Sequence, residues 1–466
     1  MRGMRGRQAA AIVGAILILG GVAAAGWAIG WSSRPAPTGP SVVVILTDDQ
    51  RWDTLSAMPN VRALLERPGV DFANAFVVNS LCCPSRASFL TGDYSHTTGV
   101  YTESPPNGGF PRFRDASTVA TWLHDAGYRT GLFGKYLNEY SGTYIPPGWD
   151  RWFAFQQNAT GYYQRYSVND DGTIERFGSA PADYSTGVVA ARAVSFIEDT
   201  RGPLFAYVAP YAPHAPAVPA PGDREAAVAL PRFDPPSFDE RDMSDKPRWM
   251  RSLPKVSRAT VDAFRTQQYR SLLDVDRLVG QVVDALRRTG RLHDTLIAFT
   301  SDQGLGWGEH RWFDRKEVPY EESVRIPYVV RFDPLVRAPH TDTHLVLNLD
   351  LAPTIAAAAG VDAPGAEGRS LLPLLAGHSV RWRHDFLIEH VEGRSPPDPP
   401  TFCAVRTERY LYVAYATGER ELYDLRRDPF ELSNEAGAAS VGSVETSLKS
   451  ELARLCRPPP PGFSNP

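Results

Sequence analysis

Six short segments carry side chains that could do chemistry together. Asp48-Asp49 sets two carboxylates side by side. Adjacent carboxylates repel and are costly unless a cation or donors satisfy them. A hard divalent ion with oxygen ligands does so, although such a pair also serves as a plain cap or turn. Leu81-Cys82-Cys83-Pro84-Ser85-Arg86 offers a thiol at the start of a helix. Pro84 suits the first turn because it lacks an N–H that would go unpaired there. A helix beginning here aims its amide donors and positive end at Cys82. With Arg86 one turn in, physics alone predicts an activated thiolate. Gly134-Lys135, Asp302-Gln303-Gly304 and Pro213-His214-Ala215-Pro216 each follow an apolar run, and the two prolines restrict the loop around His214. The last segment runs from Gly308-Glu309-His310 to Arg315-Lys316, with Tyr320-Glu321 beyond it.

Residues so far apart in sequence need a frame that gathers them. Val42-Val43-Val44-Ile45-Leu46 is an uninterrupted β-branched and aliphatic run, the pattern of a parallel strand buried on both faces. Strands are predicted over 41–46, 130–133, 204–208 and 296–300, each ending at one of the polar segments above. Helices are predicted between and after them, over 117–126 with Ser117 as the cap, 186–200, 257–288, 350–360 and 444–455. Alternating strands and helices predict an α/β fold with a mostly parallel sheet. Ligands bind beyond the carboxyl ends of such strands, where the polar segments fall. Near Trp382 the texture changes. Segments 385–389, 403–406 and 410–415 read as strands with short turns, followed by Glu421-Leu422-Tyr423-Asp424-Leu425 and a helix. The expected organisation is a catalytic domain over 41–380 and a smaller C-terminal subdomain and tail over 381–466.

Cys82-Cys83-Pro84-Ser85-Arg86, continued by Ala87 and by Thr91-Gly92, resembles the signature of the type I sulfatases. The family oxidises the first cysteine of this motif to formylglycine, which marks Cys82 as the converted residue and implies a formylglycine-generating enzyme as a maturation partner. The resemblance implies an alkaline-phosphatase-like fold: a large, mostly parallel sheet flanked by helices, with a C-terminal α+β subdomain containing an antiparallel sheet. It assigns Asp48, Asp49, Asp302 and Gln303, with the modified Cys82, to one divalent cation. Gln303 departs from the usual Asn or His. A carboxylate-rich set supplied largely by protein favours calcium over magnesium. Arg86, Lys135, His214 and Lys316 become catalytic residues by the same resemblance and Asn138 a substrate-binding one, while His310, in the loop after Asp302, is read as a substrate-binding residue lining the cleft, with a plain surface histidine as the alternative. Asn138, Tyr140 and Ile145-Pro146-Pro147-Gly148-Trp149 resemble the glucosamine-6-sulfatase branch. That branch implies a sulfated sugar such as N-acetylglucosamine 6-sulfate. An arylsulfatase, a phosphate or phosphonate ester hydrolase of the same superfamily, and an anchored binding protein without turnover are the alternatives.

The chain has 466 residues, 43% of them hydrophobic and 22% charged, with a net charge of −4. This composition supplies a sizeable core and excludes global disorder, and it lacks the basic balance of a nucleic-acid binder. Arg2, Arg5 and Arg7 precede an uncharged run from Ala9 to Trp31. A basic flank and an apolar run form an export signature, and the run reaches the ~20 residues needed to span a bilayer. Residues 1–31 are therefore expected to be a cleaved signal peptide or a retained membrane anchor, with 32–40 as a Pro-rich linker. The body is then secreted or held at the outer face of the cytoplasmic membrane. Four cysteines are too few for a disulfide scaffold. Export would permit a Cys403–Cys456 bridge, a pairing the sequence leaves open.

Overall fold

A computed structural model describes residues 39–157, 161–393 and 397–464. The leader 1–31 and most of the linker 32–40 lie outside the described residues. Among those described, no helix is long and apolar enough to cross a membrane.

Ten strands form the main sheet: β1 (Ser41–Thr47), β2 (Val70–Phe72), β3 (Arg129–Gly134), β4 (Arg151–Phe155), β5 (Ser167–Asp170), β6 (Thr173–Arg176), β7 (Leu204–Ala209), β8 (Thr295–Ser301), β9 (Tyr328–Arg331) and β10 (His340–Asp342). Their spatial order is β10-β2-β9-β8-β1-β7-β3-β4-β5-β6. The central five, β8-β1-β7-β3-β4, are all parallel, and antiparallel pairs join them on both sides. Every residue of β1 is buried, which is why the run could be apolar without alternation. Val42, Val44 and Leu46 enter one core, and Val43 and Ile45 the other.

Helices cover both faces. On the first lie α1 (Cys82–Thr91), α2 (Val119–Asp125) and α5 (Leu351–Ala359). On the second lie α3 (Ser185–Asp199) and the 31-residue α4 (Arg258–Arg288). Ser257 caps α4 by accepting the Thr260 N–H at 3.1 Å. The start of α2 differs from expectation. Thr118, not Ser117, is the cap, because Thr118 and Thr121 exchange side-chain and backbone bonds in a capping box. Helix α1 also begins earlier than Pro84. Its first residue is Cys82, and Ser85 N–H donates to Leu81 at 3.0 Å. Pro84 still falls among the first three residues, whose N–H groups have no partner within the helix.

The C-terminal region forms an antiparallel sheet of β11 (Asp385–His390), β12 (Phe402–Thr407), β13 (Tyr410–Tyr415) and β14 (Arg420–Asp424), followed by α6 (Gly442–Leu455). Phe386, Ile388, Ala404 and Val413 on one face join the core of the main sheet. Leu387, Val405 and Tyr412 on the other face pack against Leu448 and Leu452 of α6. Cys403 of β12 and Cys456, just past α6, form a disulfide with Cα atoms 6.4 Å apart.

Candidate active site

The main sheet delivers its polar residues at one edge by register. Thr47 of β1 pairs with Ser301 of β8, so Asp48 and Asp302 leave adjacent strands together. Asp302 N–H donates to Thr47 at 3.1 Å, and Asp49 N–H to Asp302 Oδ1 at 3.0 Å. On the other side, Gly134 of β3 pairs with Ala209 of β7. Gly134 has φ +115°, and a Cβ there would sit 2.0 Å from the Ala209 carbonyl oxygen. Glycine alone permits this turn, after which Lys135 N–H bonds Ala209 at 2.8 Å and its side chain crosses in front of β1.

Cys82 lies fully buried at the first turn of α1. Its Sγ is 3.4 Å from Asp48 Oδ1, 3.0 Å from Lys316 Nζ and 3.2 Å from Gln303 Nε2. Lys135 Nζ reaches Asp48 Oδ2 at 2.5 Å, and Lys316 Nζ reaches Asp49 Oδ1 at 2.7 Å. Arg86, also fully buried, ties the frame together. Its Nε donates to Asp302 Oδ2 at 2.8 Å and its Nη1 to the Lys135 carbonyl at 3.1 Å, while Nη2 lies 3.6 Å from Asp48. His214 stands at the mouth. Its Nδ1 is 2.6 Å from the Ala215 carbonyl, so Nδ1 carries the proton there and Nε2 faces Asp49 Oδ2 at 3.6 Å.

Burial alone would push the Asp48 carboxyl up, but Lys135, His214, Arg86 and Lys316 outweigh it and hold it well below the usual range. Asp302 is pushed up to about 6 by burial and by the neighbouring Asp48. Burial would lower both lysines, yet Asp48 raises Lys135 and Asp49 raises Lys316. The Cys82 thiol goes well up, because burial exceeds the pull of both lysines. This corrects the thiolate expected from the helix start: desolvation beats the helix end and the nearby ammoniums. The thiol meets two donors and one acceptor, a setting that oxygen atoms would satisfy better than sulfur.

Carboxylate oxygens of Asp48, Asp49 and Asp302 lie within 4.8 Å of one another. Gln303 donates through Nε2 to Asp49, and its Oε1 is buried with no hydrogen-bond partner. An orphaned amide oxygen beside three buried carboxylates fits a hard cation that takes oxygen ligands.

The cluster opens into a cleft of about 500 Å³ lined by Asp49, His214 and Lys316, and also by Glu103, Asp314 and Glu317. Sequence reasoning did not single out these last three. Burial raises Glu317 to about 8 and Asp314 to about 6. The structure does not bring Asn138 or His310 to this cleft. Asn138 is buried behind it, with its carbonyl held by Phe110 N–H at 2.7 Å. His310 is turned away at φ +51°, captured by Glu240 Oε2 at 2.6 Å and packed on Tyr320.

Comparison with known proteins converges on one family. A family model described as "Sulfatase" matches residues 40–361, and one described as "N-sulphoglucosamine sulphohydrolase, C-terminal" matches 308–457. Human N-acetylglucosamine-6-sulfatase is 31% identical over 450 residues, covering 85% of this chain and 80% of that protein. The extracellular sulfatase SULF-1 homolog of Drosophila melanogaster is 35% identical over 370 residues, covering 75% of this chain. This chain spans only 33% of that fly protein and 53% of a Caenorhabditis elegans putative extracellular sulfatase. Among solved structures, one of a protein bound to its substrate D-glucosamine-2-N,6-O-disulfate superposes with a TM-score of 0.76. It is 24% identical and covers 91% of this chain and 99% of its own. The phosphonate monoester hydrolase of Agrobacterium radiobacter superposes with a TM-score of 0.72 at 22% identity, covering 90% and 95%.

Proposed function

The chain belongs to the sulfatase family, and from that premise we propose that it removes the 6-sulfate of a glucosamine-type sugar, using a calcium ion and a formylglycine at position 82. It is a sulfuric ester hydrolase of the type I, N-acetylglucosamine-6-sulfatase-like kind. The observation that carries the mechanism is the meeting of Cys82 with three carboxylates and three cations at the edge of the parallel strands. The substrate class rests on relatives named N-acetylglucosamine-6-sulfatase and on the glucosamine disulfate held by a protein of the same fold.

In this reading Asp48, Asp49, Asp302 and Gln303 would hold the calcium, which would supply Lewis-acid chemistry there. A formylglycine at position 82 would supply nucleophilic chemistry there. The remaining work belongs to this chain's own side chains. Lys135 and Lys316 now neutralise Asp48 and Asp49. With a cation taking over that task, both ammoniums serve the sulfuryl oxygens, where preorganised charge lowers the barrier most. Arg86 holds Asp48, Asp302 and the Lys135 backbone in one geometry. His214 Nε2 faces the cleft, and with both ring nitrogens protonated it gives the departing alcohol oxygen the Nε2 proton. The body, 41–380 with the subdomain 381–466, works outside the cytoplasm, as the extracellular relatives and the Cys403–Cys456 bridge suggest. Residues 1–31 serve export or anchoring, and a formylglycine-generating enzyme acts during maturation.

The test is the mass of the proteolytic peptide containing Cys82 from protein made in its native host, followed by turnover of matched sulfate and phosphate esters. An aldehyde at position 82, preference for the sulfate ester and loss of turnover in Cys82→Ala are expected. Robust sulfatase turnover by Cys82→Ala, or preference for the phosphate ester, overturns the reading.

A further inference from the structure

A second group of ligating side chains lies apart from Cys82. Three separate stretches build it. The turn joining the short strands Gly306–Trp307 and Phe313–Arg315 carries His310, the short helix Glu321–Val324 carries Glu322, and the segment after β14 carries Glu431. One ligating atom from each lies within 4.8 Å of the other two. His310 and Glu431 are each only 1% exposed.

The protonation pattern follows from the partners. Glu240 Oε2 sits 2.6 Å from His310 Nδ1. A carboxylate accepts, so Nδ1 carries a proton, and in the neutral ring Nε2 presents its lone pair. That Nε2 is buried with no hydrogen-bond partner, and so is Glu431 Oε1. Two orphaned acceptors in one buried spot are costly to keep. Among the described residues, the nearby cations make their hydrogen bonds elsewhere, although Arg406 Nη1 is buried without a partner and its charge acts on Glu431. Lys246 Nζ donates to the Glu431 and Leu432 carbonyls at 2.8 and 3.0 Å and lies 3.4 Å from Glu240. Arg51 pairs with Glu309 and Asp53, and Arg406 with Glu321.

We propose that His310 Nε2 and the carboxylates of Glu322 and Glu431 form a second metal site that takes a first-row transition ion, zinc above all. An imidazole with two carboxylates is a zinc-type ligand set. Calcium, which wants six to eight oxygens, does not match it. The Glu240–His310 bond is the arrangement in which a carboxylate fixes the tautomer and orientation of a ligating histidine. Glu322 is partly exposed and lines a cleft of about 570 Å³ with Arg51, Glu309 and Glu321. That cleft gives an ion its way in and a water its place as fourth ligand. The ion would join the C-terminal subdomain to the catalytic domain at the turn of the hairpin, one residue beyond whose second strand stands Lys316.

The test uses the full chain with position 82 converted or not, because no ligand of this site involves that position. Its outcome is therefore independent of the sulfatase chemistry. Protein stripped with a chelator and returned to excess calcium is titrated with cobalt(II), then zinc(II). Expected are cobalt ligand-field absorption saturating at one equivalent, its displacement by zinc, and one zinc retained per chain after dialysis. Zinc should also raise Tm by about 2 °C or more. His310→Gln and Glu431→Gln should lose the zinc and the Tm response while keeping their calcium content. If neither variant folds, the cobalt titration of the unaltered chain decides. No retained zinc and no cobalt spectrum, with the two carboxylates sharing a proton instead, overturns the proposal. Equal retention of zinc by folded His310→Gln overturns it as well, since the ion would then sit elsewhere.

Discussion

Removing the Cys403–Cys456 bridge should cost stability without touching the chemistry. The bridge closes a loop of 53 residues. In the chain-entropy model that closure is worth about 14 cal/mol/K, or ~4 kcal/mol at 25 °C. The sulfurs sit in the apolar layer between β12 and α6, beside Leu448 and Leu452, so alanines replace them with little loss of packing. With unfolding entropy near ~2.1 cal/mol/K per residue over about 420 residues, ~4 kcal/mol corresponds to a fall in Tm of about 4–5 °C. Differential scanning fluorimetry of Cys403→Ala/Cys456→Ala against the oxidised protein measures it, and reductant on the unaltered chain should reproduce the shift. Turnover at 25 °C should stay within about twofold, because neither cysteine belongs to the Cys82 cluster. A Tm unchanged within about 1 °C would refute the entropic reasoning. A collapse of turnover at full solubility would refute the separation of subdomain stability from the site.

Lys316→Met removes the ammonium 2.7 Å from Asp49 and 3.0 Å from Cys82. Turnover should fall about 10²–10³-fold in kcat, and a kcat within about threefold of the parent would show that the charge plays no part in the transition state. His390 in β11 is buried, and burial holds its pKa down to about 4. Its folded value is depressed, so its stabilising contribution is full above about pH 6.5 and is lost as pH falls toward 4. At pH 4.5 the loss is about 2.5 kcal/mol, or about 3 °C in Tm. His390→Phe, which keeps the ring against Phe402, should gain by that amount on the parent between pH 7.5 and 4.5. A gap in Tm that does not change with pH contradicts the linkage.

What the sequence disclosed and what it hid have physical causes. β1 was legible because a strand buried on both faces needs no alternation, and Asp48, Asp302 and Lys135 because each ends such a run. The Cys82 motif marked the helix start but not its depth. The expected thiolate failed because local geometry says nothing of desolvation, which comes from the whole fold. Glu103, Asp314 and Glu317 were hidden because a single loop acid looks solvated until other segments close over it. His310 looked like a cleft residue until Glu240, from a distant loop, turned it inward. The Cys403–Cys456 pairing depended on where α6 lies across β12, which no spacing rule specifies.

The complete burial of Cys82 also sets a clock. An enzyme that oxidises this side chain must reach it, and in the finished fold it is fully buried. The proposed conversion belongs to the interval before the sheet closes. Gln303, which touches Cys82 in the fold, lies 221 residues further along the chain. At ~5–20 residues per second of synthesis that is roughly 10–40 s. Translation speed and the late arrival of β8 would then decide what fraction of molecules is ever competent, so preparations identical in sequence and fold could differ severalfold in specific activity.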